Sequence, residues 1–502
     1  MISCDICVVG SGPSSYAFVS RYLLKYPDSD ILVIEAGSSR FPKPEFNELL
    51  PKSIGRDLKI RPTINIGIGG TSELWHGVLT PFDEIDFEHR HWIENSGWPM
   101  KIKDLEKSYR SVSKNIFDIE FDTFLQQVDL NHSAELANLG YSWSEEDFET
   151  KAFIQPKRIF RGFKKWKMLA SRVSFLKGYT ALRFRAHIGN TKRLEIGDYS
   201  SGSLLTIQAK RYILSAGALN TPRILLNSEE GMFNNINIGC FLNDHAMGNL
   251  GQIGGNIPLS TKLFSGIKHY PGKIKYALRP TEEFQKKNKI GNSVLYPRAS
   301  FSEGEFDRTE ALKRTLLTVR GEIFRGHLPV NLIREVFSDI NLSMQIINYK
   351  FGLFPKSKFI DFFLVQEGRP NNESKLVLSN ELDRFGLPKA NIDWKLKPED
   401  LLDAKTMVNS LMRSLSLPTD WCETYNLDIV NWGSRLSSAA HHSGSCRMAV
   451  DETSGVVDLN CAIFGHDDVF IADASVFPTN GNGNITLTAM AIANRVADLI
   501  DK

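Results

Sequence analysis

The sequence has 502 residues, with 42% hydrophobic and 24% charged residues, which is typical of a globular protein of about three domains or two large interwoven ones. The formal net charge is +2, so no overall field favours nucleic acid or a strongly acidic partner. No apolar run is long enough to span a bilayer, and a strand already begins at Asp5, where a secretory signal would need its apolar core. We therefore expect a cytoplasmic protein that is not an integral membrane protein.

Residues 5–37 predict a strand–helix–strand unit. The short apolar run that ends at Val9 is typical of a strand buried on both faces. A glycine turn and an amphipathic stretch follow, and residues 31–34 predict the second strand, which ends at Glu35.

The turn between this first strand and its helix predicts a phosphate-binding loop. Gly10 permits a tight turn, and Gly12 lets the backbone approach a pyrophosphate at the helix N-terminus. Ser15 stands where a third glycine is usual, and its small side chain still allows close helix–strand packing. Glu35 is placed to accept hydrogen bonds from an adenosine ribose. The order of these features favours a dinucleotide site, but it does not distinguish NAD from FAD.

The rest of the chain is clear only in parts. Residues 65–80 are rich in glycine, residues 210–217 read as a buried strand entering a glycine turn, and Thr221 and Pro222 predict the cap and first position of a helix. Residues 469–472 predict a strand, and residues 485–500 predict a helix. The strands and helices of residues 256–435 have no order that the pattern resolves. The nucleotide-type strands are thus scattered, which favours one nucleotide domain interrupted by insertions.

The six cysteines do not predict a disulfide scaffold, because they are sparse in a long chain. Cys4 and Cys7 have C-x-x-C spacing, but they lie within a predicted strand rather than at a helix start, so we interpret them as two small strand residues. His441, His442 and Cys446 lie close in sequence, yet adjacent histidines seldom share one ion and no fourth ligand is evident. We expect no metal.

Four motifs resemble the glucose–methanol–choline (GMC) oxidoreductases, a family of FAD-dependent enzymes. The first is the phosphate loop with Glu35, and the second is the glycine-rich stretch of residues 69–77. The third is residues 216–226, and the most specific is residues 441–448 followed by residues 473–478 and the terminal helix. Residues 242–245 also echo a family pattern.

The resemblance implies an elongated FAD whose pyrophosphate meets the N-terminal loop and whose ring lies near the C-terminal motifs. A helix that starts near Ile485 would direct its N-terminus at the flavin pyrimidine edge, which favours negative charge. Leu74 stands where some members attach FAD covalently to histidine, so we expect non-covalent FAD. The implied cofactor-binding residues are Gly10, Gly12, Pro13, Ser14, Glu35, Ala36, Gly69, Gly70, Thr71, Ser72, Ala216, Gly217, Asp473, Ala474, Asn484, Ile485 and Thr486.

The catalytic pair implied by the resemblance is His441 and Asn482. His441 would remove the hydroxyl proton of an alcohol, and the Asn482 amide would bond the developing alkoxide. His442 is the alternative base, and Asn484 is the alternative to Asn482. In the family pattern a proline follows the second catalytic residue, whereas this chain has Gly483, which predicts a more flexible loop.

Residues 157–167 contain six basic residues, several aromatics and no acid. A solvated surface segment is the simplest interpretation. A mouth for an anionic substrate, such as a phosphorylated sugar, and a contact with lipid are the alternatives. We expect no nucleic-acid binding, since no recognition motif accompanies the segment.

We therefore predict an α/β protein with a Rossmann-like FAD-binding domain interwoven with a sheet-based substrate-binding domain. The FAD domain would comprise residues 1–80, 175–255 and 436–502, and the substrate side would comprise residues 81–174 and 256–435. The expected function is oxidation of a small alcohol, sugar or polyol, with an electron acceptor that the sequence does not identify. A flavin-containing lyase, an NAD-dependent dehydrogenase and a non-enzymatic flavin-binding scaffold are the alternatives.

Overall fold

The computed structural model of the chain describes residues 1–41, 44–58, 60–126, 146–186, 192–254, 267–269, 272–300, 330–340, 342–344, 359–414 and 436–501, together with residues 312, 315, 319 and 347. Its strands are β1 Ile2–Val9, β2 Ile31–Glu35, β3 Lys52–Ser53, β4 Phe148–Pro156, β5 Ser174–Lys177, β6 Tyr179–Ala186, β7 Lys192–Asp198, β8 Leu204–Leu214, β9 Ala246–Gly254, β10 Ile267–His269, β11 Gly272–Pro280, β12 Ser293–Ser300, β13 Phe359–Gln366, β14 Lys375–Leu382, β15 Pro388–Asp393, β16 Ser437–Ser438, β17 Ala462–Ile463 and β18 His466–Ile471. Its α-helices are α1 Pro13–Lys25, α2 Ile60–Thr63, α3 Glu84–Phe87, α4 Lys103–Phe117, α5 Gly162–Met168, α6 Thr221–Leu226, α7 Glu282–Asn288, α8 Val330–Ser338, α9 Pro398–Ser414 and α10 Thr486–Leu499.

The first sheet brings together strands from the beginning, the middle and the end of the chain. Among the described residues it has eight strands in the order β17–β18–β8–β1–β2–β5, with β7 beside β8 and β6 beside β7. Strands β18, β8, β1, β2 and β5 run parallel. Val9, Ile34, Leu214 and Ile471 are neighbours in register at the carboxyl ends of their strands. The segments that follow these four residues therefore meet at one edge of the sheet, where ligands bind in open parallel sheets.

One face of this sheet is covered by helices from both ends of the chain. Helix α1 packs against α10, and α10 packs against α4. Buried apolar side chains of these helices form one core with the parallel strands. Arg21 of α1 pairs with Asp498 of α10, which ties the two termini together.

The second sheet lies on the substrate side of the predicted architecture. Its strands within the described ranges follow the order β10–β11–β12–β13–β9–β16, with β4 beside β11, and all its pairs are antiparallel. Strand β4 pairs with β11 along its whole length, from Phe148 to Pro156. A separate core of buried side chains packs behind it, around Trp394. A small sheet of β14, β15 and β3 completes the part of the chain that the structure describes.

The predicted α/β fold class is confirmed, while the domain boundaries stay predictions. The expected strands at residues 6–9, 31–35, 210–214 and 469–471 are present, and the terminal helix begins at Thr486. One local prediction is wrong: Thr221 is the first helical residue of α6, and Asn220 is its cap. Thr221 is not the cap because its hydroxyl donates to Asp473 instead.

Among the helices of the described residues, none is long and apolar enough to cross a membrane. Five cysteines in the described ranges carry free thiols, and Cys422 lies outside those ranges. Burial raises the pKa of the Cys7 thiol well above its ordinary value, which disfavours the reactive thiolate.

Candidate functional site

The turn after β1 leaves an open face at the start of α1. A Cβ atom at Gly10, whose φ is +96°, would lie 2.6 Å from the carbonyl oxygen of Ser215, so only glycine fits there. A Cβ at Gly12 would meet nothing within 4 Å. Gly12 caps α1 without a side-chain hydrogen bond, and Pro13 occupies the first turn. The N–H groups of the first turn beyond Pro13, including that of Ser14, have no side-chain cap and lie beside the open side of Gly12, where an anion can bind.

Glu35 joins this turn to the end of β2. Its carboxylate accepts hydrogen bonds from Ser11 N at 2.9 Å, from Ser11 Oγ at 2.6 Å and from Gly37 N at 3.1 Å. Burial raises the pKa of Glu35 to about 7, although these donors oppose the shift. Ala36, beside it, is half-buried. The carboxylate is thus desolvated, and additional donors from a ligand would favour its charged form.

The glycine-rich turn of residues 69–72 packs directly on the phosphate loop. Gly69 N donates to Ser11 Oγ at 3.0 Å, and a Cβ at Gly70 would lie 3.0 Å from the Cα of Gly12. Ser72 is buried and donates through Oγ to Gly69 O at 2.7 Å, whereas Thr71 is exposed. The structure therefore brings these expected cofactor residues together with Gly10 and Gly12.

The basic segment of residues 157–167 supports the same turn. The indole of Trp166 donates to Ser11 O at 2.7 Å, and Arg161 donates to Ser72 O at 2.7 Å. Phe160 is buried as well. The interpretation as a solvated surface segment holds for the exposed side chains Lys157, Arg158, Lys164 and Lys167 and fails for the aromatic ones. Whether these exposed charges attract an anionic substrate stays a prediction.

Asp473 connects the third predicted motif to the fourth. Its carboxylate accepts from Gly217 N, from Thr221 Oγ1 and from Ser475 N, each at 2.8 Å. Asp473 and Ala474 are buried. We interpret Asp473 as a cross-link that shapes the turn at Ala216 and Gly217. Gly217 has a φ of +82°, and a Cβ there would meet nothing within 4 Å, so this turn also borders open space.

His441 lies against His245, a second histidine to which the sequence motifs assign no role. His441 Nδ1 and His245 Nδ1 are 2.8 Å apart. The other nitrogen of His245, Nε2, lies 3.0 Å from Asn480 O and 2.9 Å from Gly481 O. Because a carbonyl oxygen only accepts, His245 Nε2 carries a hydrogen. Burial lowers the pKa of His245, so the ring is neutral and its Nδ1 is an acceptor.

This contact determines the tautomer of His441. Its Nδ1 must carry the hydrogen that His245 Nδ1 accepts. Burial, followed by the nearby His245 and His442 rings, lowers the pKa of His441 well below its ordinary value. The ring is therefore neutral with a free lone pair on Nε2, and Asn484 Nδ2 donates to this atom at 3.0 Å. A neutral histidine with an available Nε2 can accept a proton from a hydroxyl group.

The Asp244 carboxylate lies beneath the histidines. It accepts the backbone N–H of His441 at 2.9 Å and the hydroxyl of Ser438, and it lies 3.7 Å from His442 Nε2. The sequence of residues 242–245 echoes a family pattern but predicts no role for them. Its signal is an adjacent acid and histidine just before strand β9.

Asn482, the expected partner of His441 in catalysis, makes no hydrogen bond to His441. Asn482 is 1% exposed, and its Oδ1 accepts from Lys151 Nζ at 2.6 Å. Its Nδ2 donates to Asn292 Oδ1 at 2.8 Å, with Asp83 Oδ2 and Ser293 O at 3.2 and 3.3 Å. Both ends of its amide are therefore engaged with protein groups. The amide that contacts His441 belongs to Asn484.

Helix α10 begins directly after this pair. Its cap is Ile485, with no side-chain hydrogen bond, and its first residue is Thr486. Both are half-buried. An uncapped N-terminus of a 14-residue helix thus lies beside the His441–Asn484 pair. Such a terminus stabilises negative charge.

Within the described ranges, no three or more His, Cys, Asp and Glu side chains are arranged to hold a metal ion.

Comparisons with known proteins agree on one family. Residues 370–493 match the family model described as GMC oxidoreductase. An oxygen-dependent choline dehydrogenase of Vibrio vulnificus (strain YJ016) is 42% identical over 66 residues, which is 13% of this chain and 12% of that protein. A 6'''-hydroxyparomomycin C oxidase of Streptomyces lividus is 31% identical over 137 residues, or 26% of this chain and 23% of that protein. The chain thus aligns with less than a quarter of either relative.

Solved structures share the fold over nearly the whole chain. Pyridoxine 4-oxidase from Mesorbium loti has a TM-score of 0.59 at 16% identity and covers 99% of both chains. A formate oxidase of Aspergillus oryzae RIB40 has a TM-score of 0.58 at 14% identity and covers 99% of this chain and 98% of that one.

Proposed function

Since the chain belongs to the GMC oxidoreductases, we propose that it oxidises a hydroxyl-bearing carbon of a small molecule with FAD as its cofactor. The observation that carries this proposal is the neutral His441, whose Nε2 lone pair is presented beside the uncapped start of α10. Relatives named as a choline dehydrogenase and a hydroxyparomomycin oxidase support a substrate with a hydroxyl group. Its identity is left to experiment.

The residues present fit FAD at four points. The open side of Gly12 and the uncapped start of α1 suit a pyrophosphate. The buried Glu35 suits a ribose, and the open side of Gly217 borders the same sheet edge. Both amide atoms of the buried Asn480 lack a partner among the described residues, and a bound polar group would satisfy them. Bound FAD would supply the hydride acceptor. Leu74 in place of histidine supports non-covalent attachment.

In the proposed reaction His441 is the base. A hydroxyl-bearing carbon loses hydride with difficulty unless the hydroxyl proton leaves, and a positioned base typically contributes about 10² to 10⁴ in rate. The substrate hydroxyl would replace the Asn484 amide as the donor to His441 Nε2. His441 then accepts the proton at Nε2, while its Nδ1–H remains bonded to His245.

Asn484 is the proposed second catalytic residue, in place of Asn482. Once the substrate hydroxyl bonds His441, the displaced Asn484 Nδ2–H can donate to the substrate oxygen as negative charge develops on it. Asn484 is half-buried, so a ligand can reach it, whereas the amide of Asn482 is already saturated. Loss of one such donor typically costs about 10² to 10³ in rate.

His245 and Asp244 hold His441 in its reactive state. His245 fixes the ring orientation and the tautomer through the contact between the two Nδ1 atoms. Asp244 fixes the backbone at His441 through a hydrogen bond, and its charge acts on the neighbouring His245 and His442 rings.

The first test is the visible spectrum of the purified protein without oxygen, before and after adding choline, pyridoxine, benzyl alcohol or glucose. Bleaching of a flavin spectrum by one compound would support the proposal and name the substrate class. His441→Ala should keep FAD bound and slow flavin reduction at least about a hundredfold. A bound flavin that no hydroxyl compound bleaches would favour the lyase or scaffold alternative. Full activity of the His441 variant would contradict the assignment of the base.

The role of Asn484 is tested by its own variant. Asn484→Ala should slow flavin reduction by about a hundredfold while FAD binding changes little. If Asn482 were the donor to the alkoxide, Asn484→Ala would reduce its flavin at close to the wild-type rate.

A further inference from the structure

We propose that Lys151 is a positioning residue. Through its hydrogen bond to Asn482 it holds the catalytic loop, residues 479–484, in a fixed position relative to His441. This inference rests on the proposed function only in taking His441 and Asn484 as the catalytic pair. Lys151 belongs to β4 of the second sheet, and Asn484 is two residues beyond Asn482. The lysine thus connects the sheet on the substrate side to the segment that carries the catalytic amide.

The contacts of Lys151 make this connection direct. Lys151 is 6% exposed, and its Nζ donates to Asn482 Oδ1 at 2.6 Å and lies 2.9 Å from Asp83 Oδ1. Hydrogen bonds from an ammonium group are about twice as strong as neutral ones. On its other side Asn482 donates to Asn292 Oδ1 at 2.8 Å. One loop side chain is therefore clamped between β4 and the start of β12.

The charges around the lysine keep it an effective donor. Burial alone would raise the pKa of Asp83, but Arg279 and Lys151 outweigh it and hold that pKa well below its usual range. Burial lowers the pKa of Lys151, and the attraction of Asp83 and then Asp86 opposes that effect. Asp83 thus provides a buried counter-charge at the base of the clamp.

Two glycines let the loop come close enough to be clamped. A Cβ at Gly481 would lie 2.4 Å from Asp86 Oδ2, and a Cβ at Gly483 would lie 2.6 Å from Thr80 Cγ2. The backbone of the loop is thus pressed against residues 80–86. At the start of the loop, Thr479 Oγ1 donates to Asp86 O at 2.7 Å.

These contacts restrain a loop whose glycines leave its backbone otherwise free. Glycine populates more backbone conformations than any other residue. Gly481 and Gly483 therefore add no stiffness of their own, and the side chain of Asn482 supplies the restraint through Lys151. The expectation that Gly483 leaves the loop flexible therefore omits the clamp. Misplacement of a catalytic group by about 1 Å can cost about a hundredfold in rate, so the clamp bears on turnover.

The experiment uses the FAD-loaded protein, three single variants of the clamp, one double variant and one control variant. Lys151→Met removes the donor, and Lys151→Arg keeps a cationic donor. Asn482→Ala removes the acceptor but leaves the Lys151–Asp83 pair intact, so it remains informative if the methionine variant fails to fold. The matched control is Lys192→Met, which also removes a lysine paired with a carboxylate, Asp468, far along the chain from the loop.

The main measurement is hydrogen exchange of the peptide that spans residues 479–486, because it does not require turnover. Lys151→Met and Asn482→Ala should each speed exchange in this peptide about tenfold or more, whereas Lys151→Arg and Lys192→Met should leave it close to wild type. With the alcohol that bleaches the wild-type flavin, kcat should fall by about ten- to a hundredfold with little change in KM. The kcat of the double variant Lys151→Met/Asn482→Ala should be no lower than that of the weaker single variant.

Two results would overturn the proposal. One is exchange that rises equally across β4, β11 and the loop in Lys151→Met, since the lysine would then stabilise the fold in general. The other is independent, additive effects of the Lys151 and Asn482 variants. Because the exchange measurement needs no substrate, it stays decisive if no alcohol is oxidised, and failure of the proposed function is recognised separately by an unbleached wild-type flavin.

Discussion

Replacing His245 tests whether a neighbouring ring sets the reactive tautomer of His441. Asparagine and glutamine can each reproduce one of the two hydrogen bonds of the His245 ring. Asparagine can place an amide oxygen where Nδ1 stands and so keep an acceptor for His441 Nδ1–H. Glutamine can place an N–H where Nε2 stands and so keep the bond to Asn480 O and Gly481 O. His245→Asn thus preserves the tautomer lock, and His245→Gln removes it.

The size of the effect follows from the cost of a buried donor without a partner. In His245→Gln the Nδ1–H of His441 has no acceptor, which costs about 1–3 kcal/mol. The ring can avoid this cost by moving its hydrogen to Nε2, and that tautomer cannot accept the substrate proton. At 1.36 kcal/mol for each factor of ten, flavin reduction should slow by about five- to a hundredfold. The rate of flavin reduction in His245→Asn should be much closer to that of the wild type.

The pH dependence gives an independent check. His441 is active in its unprotonated form, so kcat/KM should rise with pH through the pKa of His441 and then level off. Burial and the neighbouring rings place that pKa well below the ordinary value, so the wild type should remain active in mildly acidic solution.

The assay is anaerobic stopped-flow flavin reduction across pH, with the bound FAD fraction measured for each variant. The reasoning would be refuted if His245→Gln reduced its flavin as fast as wild type. Equal losses in the Asn and Gln variants would refute it as well, because they would indicate a role in packing alone.

Three further outcomes follow from the nucleotide site and its support. Burial raises the pKa of Glu35 to about 7, and hydrogen-bond donors of a ribose favour its carboxylate form. FAD affinity, measured by fluorescence titration, should therefore rise about tenfold between about pH 6 and 8. Glu35→Gln should abolish this pH dependence. Gly12→Val, whose side chain enters open space, should weaken FAD binding about a hundredfold without lowering the urea midpoint, whereas Gly10→Ala, strained at φ +96°, should destabilise the fold by about 1–3 kcal/mol. Glu367→Ala leaves the buried Arg90 guanidinium unpaired and should cost about 3–5 kcal/mol in urea unfolding.

The parts of the fold that the sequence predicts are those governed by local patterns. The apolar run before Gly10 and the acid at Glu35 define a strand–turn–helix–strand unit whose geometry depends on neighbours in sequence. The parallel register then brings the ends of β1, β2, β8 and β18 to one edge, as the scattered motifs imply. The order of strands in the second sheet was not predictable, because antiparallel pairs such as β4 with β11 join segments more than a hundred residues apart.

In the site, too, local motifs predict some side chains, whereas contacts between distant segments determine others. His441 is identifiable from its motif, but the motif is silent on which amide faces it. That choice depends on Lys151, Asp83 and Asn292, which compete for Asn482 from distant segments. A buried ammonium group requires acceptors, and Asn482 Oδ1 is one of the few within its reach. Because the Asn482 amide is hydrogen-bonded to these groups, the contact with His441 is made by the next amide in the loop, that of Asn484. Strand β4, in which Lys151 stands beside Glu149 and Thr150, gives no local signal of this outcome.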